Sequence, residues 1–262
     1  MKRLRSPVLM YHHVEPAPFD PTPHFAGSYV SRAEFSSHLD WLADRNFSVL
    51  SLADAIARNH RGEVSGGRSV VLTFDDGCKC FLEHAVPELE RRHMCATVFV
   101  VSSQVGGHNV WDVARGERIE ALLTTGELRD VASRGFEIGS HSRSHADLLG
   151  IDAAGLGREV SGSKKELETL LDRAVETFCY PYAHFDDTTS AAVRDAGYRA
   201  AVSVYGMPGV SLRNRFALPR AVVQPGSSRL ELRLQTTGWY GLWRQLPRLG
   251  VLRLLRKAKG TR

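Results

Sequence analysis

The feature that most constrains the fold is the regular exchange of two hydrophobic periods along the chain. Short runs rich in β-branched and apolar residues fall at 8–12, 69–74, 96–101, 136–139, 177–180, 200–204 and 217–223. Between them lie segments with helical patterning, at 83–92, 126–133, 156–171 and 188–196. An earlier helix is announced by Ser31 with Glu34 three residues on, a capping box, followed by Phe35, Leu39 and Leu42 at helical spacing. Ser51, with Asp54 three residues on, marks a second start. Strands alternating with helices imply a parallel sheet, either open or closed into a barrel. Seven such units suit an α/β fold of barrel type, expected as one domain over residues 6–225. No internal repeat interrupts the pattern, and no stretch of 18 apolar residues suggests a transmembrane helix.

Two strand ends carry the chemistry. The run Val70-Val-Leu-Thr-Phe ends in Asp75, Asp76 and Gly77. The run at 136–139 leads into Ser140, His141 and, four residues later, His145. In parallel α/β folds catalytic residues gather at the C-terminal ends of strands. Two imidazoles and one carboxylate form a common catalytic metal set that leaves positions for water and substrate. The second carboxylate is then free to serve as a base, because neighbouring strand-end side chains point in different directions. Asp-Asp-Gly alone is an ordinary turn, and a lone pair of histidines four apart is common by chance. Both at strand ends of one chain is a far more specific signal.

On these residues the chain resembles the polysaccharide deacetylases of the NodB-homology type, carbohydrate esterase family 4. The resemblance rests on Thr73-Phe-Asp75-Asp76-Gly77, on His141-Ser-Arg-Ser-His145 and on Phe178-Cys179-Tyr180-Pro181-Tyr182, and spans about residues 6–223. It implies a distorted (β/α)7-like barrel with a divalent metal, expected to be Zn2+. It further implies that Asp76, His141 and His145 hold that metal, that Asp75 is the general base, and that the backbone N–H of Tyr182 helps hold an oxyanion. The implied reaction is hydrolysis of an N-acetyl group from an amino sugar in a polysaccharide or a glycan precursor. Two alternatives stand beside it: a deformylase or deacetylase of a lipid-linked sugar other than N-acetylglucosamine, and a catalytically silent saccharide-binding module.

The chain departs from the family pattern twice. Where many members carry an arginine that orients the base, this chain has Cys179, and a thiol supplies no fixed cation. Arg220, at the end of a late strand, is the expected substitute. Many members also carry a late histidine as general acid, yet no histidine follows His184. The opening Tyr11-His12-His13 resembles instead the branch that includes poly-N-acetylglucosamine deacetylases, which makes His12 the expected acid and His13 the alternative. Trp111 offers either a sugar-stacking face or a buried indole. His184 reads as a solvated loop residue. Cys78 and Cys80 read as packed thiols; the four cysteines match no zinc ribbon and favour a reducing compartment.

Charge is uneven. The formal net charge is +5, but residues 239–262 hold seven Lys or Arg and no acid, so residues 1–238 sum to 5 − 7 = −2. The segment 229–262 reads as a basic, aromatic C-terminal appendage. Its tryptophans, leucines and arginines suit either an interfacial helix on anionic lipid or a helix packed on the barrel. Nucleic acid is not expected as a partner, since no matching module appears. The short apolar run after the N-terminal basic residues is too brief for a signal peptide, so a cytoplasmic location is expected, with peripheral contact at the inner membrane face.

Overall fold

A computed structural model describes residues 4–16, 29–63, 68–113, 116, 118–204, 209–237 and 240. Ten strands occur among them: β1 (Val8–Tyr11), β2 (His13–Glu15), β3 (Tyr29–Ser31), β4 (Ser48–Leu50), β5 (Ser69–Phe74), β6 (Thr97–Val100), β7 (Glu137–Ser140), β8 (Thr177–Cys179), β9 (Ala200–Val204) and β10 (Leu218–Val222). β1 pairs in parallel with both β5 and β10, which closes the ring β1-β5-β6-β7-β8-β9-β10. These are the seven strands the sequence announces. β5 is long enough to share one edge, taking β4 along Ser69–Val71 and β6 at Thr73 and Phe74. The short β2 and β3 form a separate parallel pair beside the barrel.

The helices begin where their capping residues predict. Ser31 caps the helix Arg32–Ala43, with Glu34 reaching back to the Ser31 N–H. Ser51 caps Leu52–Arg61 and Thr124 caps Thr125–Ser133. The helical stretches near 83–92 and 156–171 each contain a wider turn, at Phe81–Ala85 and Arg158–Gly162.

Alternation along the strands sorts side chains into two apolar clusters. Leu9, Val70, Leu72, Val98 and Phe178 pack outward under the helices. Val8, Val71, Phe99, Cys179, Val202 and Leu218 fill the barrel. Inward positions also carry polar groups that bond to one another. The carboxylate of Glu137 accepts from Thr97 Oγ1 (2.8 Å), Thr177 Oγ1 (2.6 Å) and the Ala53 N–H (2.9 Å), tying three strands to the helix Leu52–Arg61.

The first turns of the segment from 229 pack on the barrel. Ser228 caps a helix at Arg229–Gln235, Leu232 is fully buried, and Gln235 Nε2 donates to the Val222 carbonyl at 2.9 Å. Of the basic stretch 239–262 only Tyr240 is described, so the expected interfacial helix lies outside the described residues. No helix among the described residues is long and apolar enough to cross a membrane.

Candidate active site

The inward parity of three strands aims their last residues at one place. On β1, Val8 and Met10 are followed by His12; on β5, Val71 and Thr73 by Asp75; on β7, Glu137 and Gly139 by His141. His12, Asp75 and His141 line a cavity of about 260 Å³ at the C-terminal mouth of the barrel, with Arg220 of β10. Asp76 has the opposite parity, yet it faces the same cavity because its φ is 72°, a left-handed backbone turn. Gly77 continues the turn at φ 74°, where a Cβ would sit 3.2 Å from Val100 Cγ2. Ser142, His145, Tyr182 and Ala183 also hold positive φ angles, so backbone strain gathers around this cavity.

One corner is a ligand set. Asp76 Oδ1 lies 3.5 Å from His141 Nε2 and 3.5 Å from His145 Nε2. The three ligand atoms lie within 4.8 Å of one another, and all three residues are buried. His141 Nδ1–H donates to the Cys179 carbonyl at 2.8 Å, which turns Nε2 and its lone pair toward the cavity. Burial holds the imidazole of His141 below its ordinary pKa, in the neutral form that ligates. Burial, then the charge of Asp75, pushes the Asp76 carboxyl well above its usual range. A buried carboxylate beside two imidazoles and a second carboxylate has too little positive charge around it, and a divalent cation there supplies what is missing. The residues present therefore fit a divalent metal.

The adjoining corner is built on an ion pair. Arg220, 1% exposed, donates from Nη1 to Asp75 Oδ1 at 2.5 Å and from Nη2 to Asp75 Oδ2 at 2.8 Å. Its remaining N–H groups reach Thr73 Oγ1 (3.2 Å), the Ser203 carbonyl (3.3 Å) and Cys179 Sγ (3.0 Å). Burial favours protonation of Asp75, but the charge and hydrogen bonds of Arg220 outweigh it and hold the carboxyl well below its usual range. Cys179 thus sits where the guanidinium of Arg220 arrives. Asp75, His141 and Cys179 also cluster closely enough to bind a metal, but both oxygens of Asp75 are engaged by Arg220.

His12 Nε2 stands 3.8 Å from Asp75 Oδ2, with the side chain 22% exposed. Burial lowers its pKa to about 4, against the charge of Asp75, so the ring is neutral near pH 7. His13 lines the same cavity, but its ring lies flat on Tyr29, with centroids 4.4 Å apart, and Tyr29 Oη donates to Glu120 Oε1 at 3.3 Å. Tyr182 abuts His145 edge-on at 4.7 Å, and Trp111 stacks on that ring at 4.5 Å. His184 pairs with Asp147 at 2.8 Å on the exposed surface and is not among the cavity residues. Cys78 and Cys80 are buried free thiols.

Sequence reasoning passed over Thr73, which receives Arg220, and Asn109, a cavity residue whose side chain bonds the Glu120 N–H (2.7 Å) and the Arg118 carbonyl (3.0 Å). The inward parity of Thr73 was available as a signal. Asn109 offered none, since its partners lie across a loop.

Comparison with known proteins agrees with this architecture. The family model described as polysaccharide deacetylase matches residues 62–201. The Bacillus subtilis protein YxkH, which carries the same family's name, is 26% identical over 229 residues, covering 87% of this chain and 74% of that protein. A poly-beta-1,6-N-acetyl-D-glucosamine N-deacetylase of Staphylococcus aureus is 23% identical over 197 residues, covering 74% of this chain and 67% of its own length. The solved structure of the Streptococcus pyogenes deacetylase PplD in complex with acetate shares the fold at a TM-score of 0.74 and 22% identity, covering 90% of this chain and all of that one. With more than half its length matched, and the two strand-end motifs meeting in one cavity, the chain belongs to the polysaccharide deacetylase family of amidohydrolases, which act on carbon–nitrogen bonds other than peptide bonds.

Proposed function

We propose that this protein is a metal-dependent de-N-acetylase of an amino sugar within a polysaccharide or a glycan precursor. The observation that carries the reading is the division of labour between adjacent aspartates: Asp76 faces two histidines, while Asp75 is gripped by Arg220 and faces His12.

Asp76, His141 and His145 would hold the metal, zinc being a good match for imidazole and carboxylate donors. When bound, a divalent ion acidifies water and polarises an amide carbonyl. Asp75, kept anionic by Arg220, accepts the proton of the attacking water. His12 is neutral at rest and must gain the proton it later gives to the departing amine. Asp75 Oδ2, 3.8 Å away, is the neighbour from which it can do so. Tyr182, in its left-handed turn, is the residue whose backbone N–H we assign to the developing oxyanion. Trp111 and Tyr182 enclose His145 and narrow the space offered to a sugar ring.

The test is release of acetate from N-acetylglucosamine oligomers by the metal-loaded protein, with formate release from N-formyl sugars run in parallel. Acetate release lost in Asp75→Asn with metal still bound supports the reading. Metal binding without hydrolysis of any sugar amide would return the chain to a binding role. The cytoplasmic location, with peripheral membrane contact through 239–262, also belongs to this proposal; cell fractionation tests it.

A further inference from the structure

The opposite end of the barrel carries a feature that deacetylation does not use. Arg5 precedes β1, Arg68 precedes β5, Arg45 follows the helix Arg32–Ala43, Arg58 lies on the helix Leu52–Arg61, and Arg233 lies on the helix Arg229–Gln235. Together they line two cavities at the N-terminal ends of the strands, of about 310 and 370 Å³. The cavities share Phe47, Arg68 and Thr236, so they form one floor.

These five arginines differ from most of the others in how they are held. Arg32, Arg61, Arg91, Arg92, Arg118, Arg134, Arg143, Arg194, Arg199 and Arg220 all make ion pairs with carboxylates. None of the floor five does so among the described residues. Arg45 instead lies over the Trp41 ring at 4.5 Å, and Arg68 approaches the Phe47 ring at 5.9 Å. Glu63, the lone acid among the described floor residues, has its charge taken up by Arg61, whose Nη2 donates at 3.1 Å. Five cations converging without carboxylate partners of their own repel one another, and stacking on aromatic rings orients guanidinium groups while leaving their N–H edges available. Planar guanidinium forks match phosphate oxygens.

From this geometry we propose that the barrel floor binds phosphate groups, and that these belong to the headgroups of anionic phospholipids. Two cavities side by side accommodate more than one phosphate, as a bilayer surface presents. The floor residues Thr236 and Thr237 stand directly before the sequence 239–262, whose basic and aromatic composition suits the same surface. Seating the floor on a bilayer leaves the catalytic mouth, at the other end of the strands, facing away from it.

The experiment is co-sedimentation of the full chain with phosphatidylglycerol vesicles, with phosphatidylcholine vesicles as reference, and a parallel 31P titration with inorganic phosphate. The wild type should bind phosphatidylglycerol alone, and release as salt is raised. The triple variant Arg45→Gln/Arg68→Gln/Arg233→Gln keeps the segment 239–262. It should bind about a hundredfold more weakly, each arginine near an anionic surface contributing about fivefold. Circular dichroism checks that it is folded; should it not be, Arg233→Gln alone, on an exposed helical position, should lose about fivefold. Unchanged vesicle binding in a folded triple variant, or no vesicle binding by the wild type, overturns the floor site. Saturable inorganic phosphate binding without vesicle binding overturns the lipid source.

Discussion

Arg220 grips both carboxylate oxygens of Asp75, at 2.5 and 2.8 Å, although 145 positions separate them in the chain. The pair explains how a chain with a thiol at position 179 still holds its base: the cation enters from β10 and contacts the sulfur at 3.0 Å. Replacing Arg220 by alanine leaves a buried carboxylate without its partner, a loss of about 3–5 kcal/mol in such sites. We expect Arg220→Ala to lower kcat about 100-fold with metal retained, and Arg220→Lys to fall between. Asp75 has a depressed pKa, so its contribution to stability is present above the ordinary carboxylate range and is lost as pH falls toward the folded value. Without Arg220 the acid limb of the pH–rate profile should move upward. An unchanged rate and an unchanged acid limb would remove Arg220 from the machinery.

The two aspartates should separate cleanly in metal analysis. Asp76→Ala, His141→Ala and His145→Ala should each weaken divalent metal affinity at least about 100-fold, beyond what loss of a ligand's supporting hydrogen bond costs. Asp75→Asn should retain one equivalent of metal by elemental analysis while losing turnover. Equal metal loss in Asp75→Asn and Asp76→Ala would contradict the assignment.

His12 and His13 are adjacent but differ in environment, one beside Asp75 and the other stacked on Tyr29. His12→Ala should cost about 10²–10⁴ in kcat with metal bound, and His13→Ala much less. Their pH behaviour also differs from that of an ordinary surface histidine. Burial lowers His12 from 6.5 to about 4, so the unfolded chain takes up a proton that the fold refuses. The sign follows: stability declines as pH falls from 6.5 toward 4, and His12→Gln should flatten that decline in urea titrations.

Gly139 sits two residues before His141 on the inward face of β7. A Cβ there would lie 2.5 Å from Phe99 Cδ1 and 2.8 Å from Thr177 Oγ1. Gly139→Ala should destabilise the fold by about 1–3 kcal/mol in denaturant titration, since Phe99 is itself enclosed. A variant as stable as the parent would show that the barrel interior can yield there.

The sequence by itself determined the seven barrel strands, most helix starts and the two strand-end motifs. Those signals are local: hydrophobic period, a capping serine with an acid three residues on, carboxylates after an apolar run. It did not reveal β2, β3 or β4, because three-residue strands are too short to display a period. Composition after Pro225 left a packed helix and an interfacial one as equal readings, and only the structure shows that Arg229–Gln235 packs on the barrel, with Ser228 and Glu231 forming its capping box. Tertiary structure alone decided which groups meet. Closure of β1 onto β5 and β10 brings His12, Asp75 and Arg220 together, and the left-handed backbone at Asp76 turns it toward His141 and His145. Closure likewise gathers the floor arginines from five separate segments. Convergence of residues far apart in sequence depends on strand register and ring closure, which no local pattern encodes.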